Sequence, residues 1–346
     1  MPSTNTLDRP DLRWDHLSLD DVDALTALKR SIRRDFAGDL EITPQDTHEL
    51  LSNPESDLGR DSVAVRTAES EAGPGELIAY GLVHMAKEPD SEGLVRCYLI
   101  GGVHPDHRRA GIGSALMDWL EARGLEMRAE KHPGRSFSLQ VGGGEDAPEG
   151  QDPMLPGGGR TVRYLLDARG FARLRSWIEM DQKLPASIEA TAHTADSEDI
   201  RIIPLDENLC EPVRQAHAAA FQDHWGSTPP SEEMWKRWWG SHRFRAALGS
   251  AAVDPTGTVL SYAMVEEMAP TTASLELVGT RSEARGRGLA RAVIARTLQA
   301  AAEAGYQRIE LIVDSESLTG APRLYEALGF RAVLVHATYG KRIEQQ

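Results

Sequence analysis

One stretch of this chain occurs twice. Val103-His104-Pro105-Asp106-His107-Arg108-Arg109-Ala110-Gly111-Ile112-Gly113 returns as Thr280-Arg281-Ser282-Glu283-Ala284-Arg285-Gly286-Arg287-Gly288-Leu289-Ala290, and both copies read Arg-x-x-Gly-x-(Gly or Ala). They lie 177 residues apart in a chain of 346, so duplication of a whole domain is the simplest account. That length also leaves each half enough residues to bury a core.

The flanking segments repeat as well. Ahead of the first loop, Val22, Leu25, Leu28, Ile32 and Phe36 keep helical spacing. Strand candidates Ser62–Arg66 and Leu77–Met85 follow, split by Gly73-Pro74-Gly75. Ahead of the second loop, Val213–Phe221 reads as helix, and Ala246–Val253 and Val259–Glu266 flank the turn Asp254-Pro255-Thr256-Gly257. After each loop the period becomes helical again, through Ile112, Leu116, Trp119 and Leu120 and through Leu289, Val293, Ile294 and Leu298. Gly305 suits the left-handed residue that ends the second of these helices. Arg308–Asp314 then alternates as a strand, and Gly320–Leu328 predicts a helix stopping at Gly329-Phe330. The fold expected is a mixed α/β domain in tandem: residues 1–189, a small polar linker at 190–199, and residues 200–346. Val141–Arg160 holds seven glycines and three prolines, which predicts a mobile insertion at about 142–160.

Composition narrows the class. Hydrophobic residues make up 40% and charged ones 26%, as in soluble globular proteins. No apolar run reaches the roughly 18 residues of a membrane span, and the first residues carry no secretion signal, which points to the cytoplasm. Cys97 and Cys210 have no His or Cys at metal-ligand spacing and read as reduced thiols. Fifty-three acidic residues against 38 basic ones give a net charge of −15. This argues against a nucleic-acid partner and suits a cationic acceptor, although acidity also serves solubility alone.

A glycine-rich turn entering a helix points several unpaired backbone N–H groups outward, and the helix dipole adds positive charge. Glycine lets a phosphate approach the backbone closely, and Arg108, Arg109, Arg285 and Arg287 can add charge-assisted bonds. No Gly-Lys-Ser/Thr follows and no Gly-x-Gly-x-x-Gly is present, which disfavours nucleotide hydrolysis and dinucleotide redox chemistry.

On these residues the chain resembles the GNAT superfamily of acyl-CoA-dependent N-acyltransferases. The family's cofactor loop, Gln/Arg-x-x-Gly-x-Gly/Ala, matches Arg108–Gly113 and Arg285–Ala290, and its later signature matches Leu324-Tyr325-Glu326-Ala327-Leu328-Gly329-Phe330. The tandem layout, with Phe221-Gln222-Asp223-His224-Trp225-Gly226 early in the second half, is similar to that of the actinobacterial mycothiol-synthase type. The resemblance implies acetyl-CoA as acyl donor, with phosphates on Arg108, Arg109, Ala110, Gly111, Ile112 and Gly113 and on Arg285, Gly286, Arg287, Gly288, Leu289 and Ala290. It places the pantetheine arm along Gly101, Gly102 and Val103 and along Val278, Gly279 and Thr280. It further implies that this strand leaves its neighbour at a bulge, where a backbone donor can hold the thioester oxygen. Ser282 stands where the family usually has the proline kept at Pro105, and Asp314-Ser315-Glu316-Ser317 stands where an asparagine is common, which leaves that contact to the arm open.

Acyl transfer to an amine needs a base for the ammonium, donors for the oxyanion and a proton for the departing thiolate. The resemblance makes Tyr325 the acid. Its counterpart in the first domain, five residues before Phe171, is Leu166, and Tyr164 points elsewhere; the first copy therefore reads as cofactor-binding or scaffolding. Glu276, four residues before Thr280, is the candidate base, where the first domain has Leu99. Glu266 and Glu267 are its reserves, and Asp223, His224 and Trp225 are candidates for the acceptor's wall. Trp235, Trp238 and Trp239 read as packing. The expected activity is transfer from acetyl-CoA to a primary amine of a small molecule, without metal or acyl-enzyme. The rival is a non-catalytic acyl-CoA-binding tandem, which has no need of Tyr325 with Glu276.

Overall fold

Parallel strands need a helical crossover to join them, whereas antiparallel ones need only a turn, and this rule organises both halves. The computed structural model describes residues 9–33, 41–68, 75–90, 92–146, 158–186, 199–222, 224–227, 230–317 and 319–343. In the first half β1 (Leu12–Asp15) is followed by helices α1 (Val22–Arg33), α2 (Pro44–Leu51) and α3 (Leu58–Asp61), then by β2 (Ser62–Thr67), β3 (Leu77–Met85) and β4 (Val95–Val103). Helix α4 (Ile112–Lys131) crosses over to β5 (Phe137–Asp146), which lies parallel to β4. Helix α5 (Gly158–Asp167) and β6 (Ala172–Lys183) complete the half.

The second half repeats the order: β7 (Arg201–Pro204), α6 (Cys210–Ala220), α7 (Glu232–Trp239), β8 (Ser250–Val253), β9 (Val259–Ala269) and β10 (Thr272–Thr280). Helix α8 (Leu289–Glu303) crosses over to β11 (Arg308–Asp314), parallel to β10, and α9 (Ala321–Ala327) and β12 (Arg331–Ile343) close the chain. Among the described residues no helix is long and apolar enough to cross a membrane.

All twelve strands form one sheet, ordered β1-β2-β3-β4-β5-β12-β6-β11-β10-β9-β8-β7. The last strand of each half is exchanged. Strand β12 pairs antiparallel with β5 of the first half, Lys341 opposite Leu139, and β6 pairs antiparallel with β11 of the second, Met180 opposite Leu311. The cores follow the strands. Ala337 and Tyr339 of β12 pack with Leu116, Leu120 and Phe137 in the first half, while Met180 of β6 packs with Val293, Leu298 and Leu311 in the second.

Several predicted elements stand: Leu77–Met85 and Arg308–Asp314 are strands, and Gly305 has φ 94 just past α8. The stretch 246–253 is not one strand, because Ala246–Leu248 forms a 3-10 turn before Gly249 and β8 begins only at Ser250. The insertion at about 142–160 is corrected at both ends. Gly142 and Gly143 belong to β5, opposite Thr338 and Ala337, and α5 starts at Gly158. Ladder hydrogen bonds come from backbone, so a glycine run can be held in a sheet by a partner that local composition does not reveal. Residues 147–157, and the linker up to residue 198, lie outside the described residues.

Candidate functional site

Both repeated loops take the same shape. Each β-strand ends in a short 3-10 turn, Pro105–His107 or Ser282–Ala284, and the chain then enters a helix through a left-handed N-cap glycine, Gly111 at φ 82 or Gly288 at φ 75. The residue two before each cap is also left-handed: Gly286 at φ 76 in the second loop, Arg109 at φ 61 in the first. Glycine adopts that conformation at little cost, whereas arginine does not. Arg108 Nε donates to Val103 O at 3.2 Å and Arg285 Nε to Thr280 O at 3.4 Å, so one arginine ties each loop back to its strand. Neither helix has an acidic residue in its first turn. Ile112 and Leu289 are buried and anchor the first turns, whereas Ala110, Gly111, Gly286 and Arg287 are exposed and Gly113 and Ala290 half-buried. Exposed N–H groups, a positive helix end and nearby guanidinium groups fit a phosphate-bearing cofactor.

The strands leading to the loops differ. In the second half the β9–β10 register slips between Leu275 and Leu277, so Glu276 stands at a bulge. In the first half Met85 to Ala79 pair with Cys97 to Val103 without a slip. The bulge expected in both copies is present only in the second. The physical difference is at one position: Leu99, 3% exposed, packs into the first core, while Glu276 must keep contact with water.

Around that bulge the second half collects acid and base. Glu276 is exposed to solvent, yet protein crowds it closely enough to raise its carboxyl pKa. Glu266, on the neighbouring strand opposite Ser274, is pushed up to about 7, first by burial and then by the charge of Glu276, against the pull of Arg243. Tyr325 in α9 is 8% exposed, and burial pushes its hydroxyl up to about 12. Its carbonyl accepts from Phe330 N at 3.0 Å; Leu166 O accepts from Phe171 N at the same distance. The two positions are therefore structurally equivalent, and the first domain's is filled by a fully buried leucine while Tyr164 is 72% exposed.

Two features of this region were not legible in the sequence. The buried Tyr262 hydroxyl shares a 2.6 Å hydrogen bond with His217 Nδ1, and a side chain at Gly279 would collide with the tyrosine ring, its Cβ 2.6 Å from Cε1. Burial, with a contribution from His224, lowers the His217 pKa to about 4, so this imidazole is neutral. The other is a clamp from the first half. His242 lies 2.8 Å from Glu49 and 3.3 Å from Asp46 of α2, Arg243 pairs with Asp46, and Phe244 bridges Glu266. Only the tertiary fold brings these residues together.

The acceptor-wall candidates separate. Asp223 lies outside the described residues. His224 Nδ1 is 3.1 Å from Trp225 O, and its ring is 5.2 Å from that of Phe221. Trp225 turns toward the first half: the Arg96 guanidinium sits 4.0 Å from its ring centre, Arg175 5.0 Å, and the Trp177 ring 6.3 Å. Trp235 is core, 1% exposed.

The model of the Acetyltransferase (GNAT) family matches residues 26–132 and 210–330. A mycothiol acetyltransferase of Salinispora arenicola is 27% identical over 339 residues, 94% of this chain and 95% of that protein. One from Beutenbergia cavernae is 37% identical over 87 residues, 25% of this chain and 29% of that protein. In fold, the chain is similar to a GCN5-related N-acetyltransferase of Sphaerobacter thermophilus, with TM-score 0.72, 21% identity and 97% of each chain covered. It is also similar to a tandem GNAT protein from the clavulanic acid biosynthesis pathway, with TM-score 0.70, 17% identity, and 96% of this chain and 98% of that one covered. Both loops, both crossover helices and the Tyr325 segment fall within the matched regions, and the chain belongs to the acetyltransferase (GNAT) family as an acetyl-CoA-dependent N-acetyltransferase.

Proposed function

We propose that the second domain carries out the transfer, from acetyl-CoA to a primary amine of a small molecule, and that the first domain binds without turning over. The observation that carries this reading is the asymmetry between copies: a bulge, two carboxylates of raised pKa and a buried tyrosine in one, against a regular strand, Leu99 and Leu166 in the other.

Acetyl-CoA supplies an activated thioester acyl group. Arg285–Ala290 would hold its phosphates, and the β10 backbone at Val278–Thr280 would align its arm. Of the pair, Glu266 is the base proposed, in place of Glu276. A carboxylate with pKa about 7 takes a proton from an ammonium near neutral pH more readily than an ordinary glutamate, directly or through water. Burial keeps that pKa high, and the charge of Glu276 adds to it. Backbone N–H groups freed at the bulge are suited to the carbonyl oxygen as charge develops there. Tyr325, protonated throughout the neutral range, can give its proton to the departing sulfur. The acidic balance of the chain favours approach of a cationic amine.

The test is thiol release from acetyl-CoA against amino sugars, aminoglycosides, polyamines and peptide N-termini. At least one amine class should support turnover that Tyr325→Phe abolishes. Release independent of every amine, or unchanged by that substitution, would overturn the reading.

A further inference from the structure

A cavity of about 480 Å³, within the range of small-molecule pockets, opens beside β4 and β5 of the first domain, where Trp225, Gly226 and Thr338 of the second half complete its wall. It lies where β4 and β5 part: their last paired residues are Tyr98 and Gln140, and the next residues on the lining face, Ile100 and Gly142, border the opening. Three residues farther along β4 the chain reaches Val103 and the first glycine-rich loop. An arm laid along Gly101–Val103 from that loop would therefore end in the cavity.

The walls specify what fits. Leu82, Leu99, Trp177 and Trp225 make them largely apolar. Arg96 also lines the cavity, but its charge is matched by the buried Asp90 at 2.7 Å, and its flat face covers Trp225. Gln140 is 3% exposed, and its Nε2 has no hydrogen-bond partner. A buried amide donor left in that state calls for an oxygen acceptor from a ligand. It would serve the carbonyl of a thioester laid along β4. The cavity has far more room than an acetyl group fills.

We propose that the first domain holds, intact, the acyl chain of a coenzyme A thioester longer than acetyl, with the chain in this cavity and the thioester carbonyl on Gln140 Nε2. The proposal rests on the reading of Arg108–Gly113 as a cofactor cradle. Leucine stands at 166 and at 99 where the second domain has Tyr325 and Glu276, so the site lacks that acid and base and binds rather than reacts.

The test is calorimetry on the full chain carrying Gly288→Asp, which removes the second cradle, using CoA, acetyl-CoA and hexanoyl-CoA without an amine. Burying one methylene tightens binding roughly fourfold, so hexanoyl-CoA should bind at least roughly tenfold more tightly than acetyl-CoA and be recovered intact. Gly142→Leu should erase that preference and leave CoA binding unchanged. No atom lies within 4 Å of a Cβ built there, so the fold tolerates the side chain while the cavity mouth is filled. Gln140→Leu should weaken both thioesters several-fold but not CoA. Equal affinities for acetyl- and hexanoyl-CoA, with CoA still bound, would overturn the acyl-chain proposal and leave the cradle intact. Loss of CoA binding itself in Gly288→Asp, with binding retained in Gly111→Asp, would overturn the cradle reading and the proposal with it. Should Gly288→Asp not fold, Arg287→Glu replaces it.

Discussion

At Tyr325 and Leu166 the same backbone position carries opposite chemistry. A positioned general acid contributes ~10²–10⁴-fold to rate, and Tyr→Phe keeps the ring that packs 5.8 Å from Phe330. Tyr325→Phe should therefore lower kcat by about that factor, with CoA affinity and melting temperature nearly unchanged; steady-state kinetics and calorimetry check this together. Tyr164→Phe, at a side chain 72% exposed, should change none of these. Glu266 makes a second prediction with two readouts. Its carboxyl rises from an ordinary 4.5 to about 7 on folding, so the native state binds more protons across that window. Stability then falls as pH climbs from 4.5 to 7, because ionising the group costs more in the fold than in the open chain. Glu266→Gln should raise the melting temperature at pH 8 and have little effect at pH 4. In wild type, kcat/KM should rise through pH 7 as the base ionises, and in the glutamine variant that limb should flatten. A limb that survives unchanged would move the base to Glu276.

Elements were legible in proportion to how local their causes are. The loops could be read because Arg-x-x-Gly ahead of an amphipathic helix is a local signal, and the structure holds Gly111 and Gly288 at positive φ. Helix α8 and strands β3 and β11 could be read from period alone. Strand β5 could not be read to its end, since Gly142 and Gly143 are held by Thr338 and Ala337 nearly two hundred residues away. Nor could the bulge at Glu276: a register slip is a property of two strands, and one strand's sequence does not contain it. The clamp of Asp46 and Glu49 on His242 and Arg243 was hidden for the same reason. The loops make their own prediction. Each presents a left-handed N-cap glycine and no first-turn acid, so calorimetry should find two CoA sites per chain. Asp at Gly288 should remove one and Asp at Gly111 the other, because a Cβ at φ 75 or 82 is strained and a carboxylate opposes a phosphate. A single site, lost only with Gly288→Asp, would leave the first loop a structural relic.

The duplication suggests two bodies, but the strand exchange makes them one. Strand β6 lies between β12 and β11, and β12 lies between β5 and β6, so neither half has its complete sheet without the other. A half expressed alone would expose the edge of β5 or β11 and the apolar residues that Tyr339 or Met180 covers. Unpaired edges of that kind promote aggregation. Residues 1–189 and 200–346 should accordingly be insoluble when made separately and recover solubility when made together. Thermal unfolding of the intact chain should follow as a single cooperative transition. The discriminating variant is Tyr339→Ala, in the last strand of the second half but in the core of the first, where the tyrosine is 2% exposed. Truncating a buried aromatic costs about 3–5 kcal/mol. If the halves unfold together, calorimetry should show the whole transition moving down with its enthalpy nearly intact. If they are independent, the trace should split, with a first-half peak moving and a second-half peak staying. In that case the exchanged strands would contribute pairing without cooperativity, and the asymmetric halves could be separated and assayed one at a time.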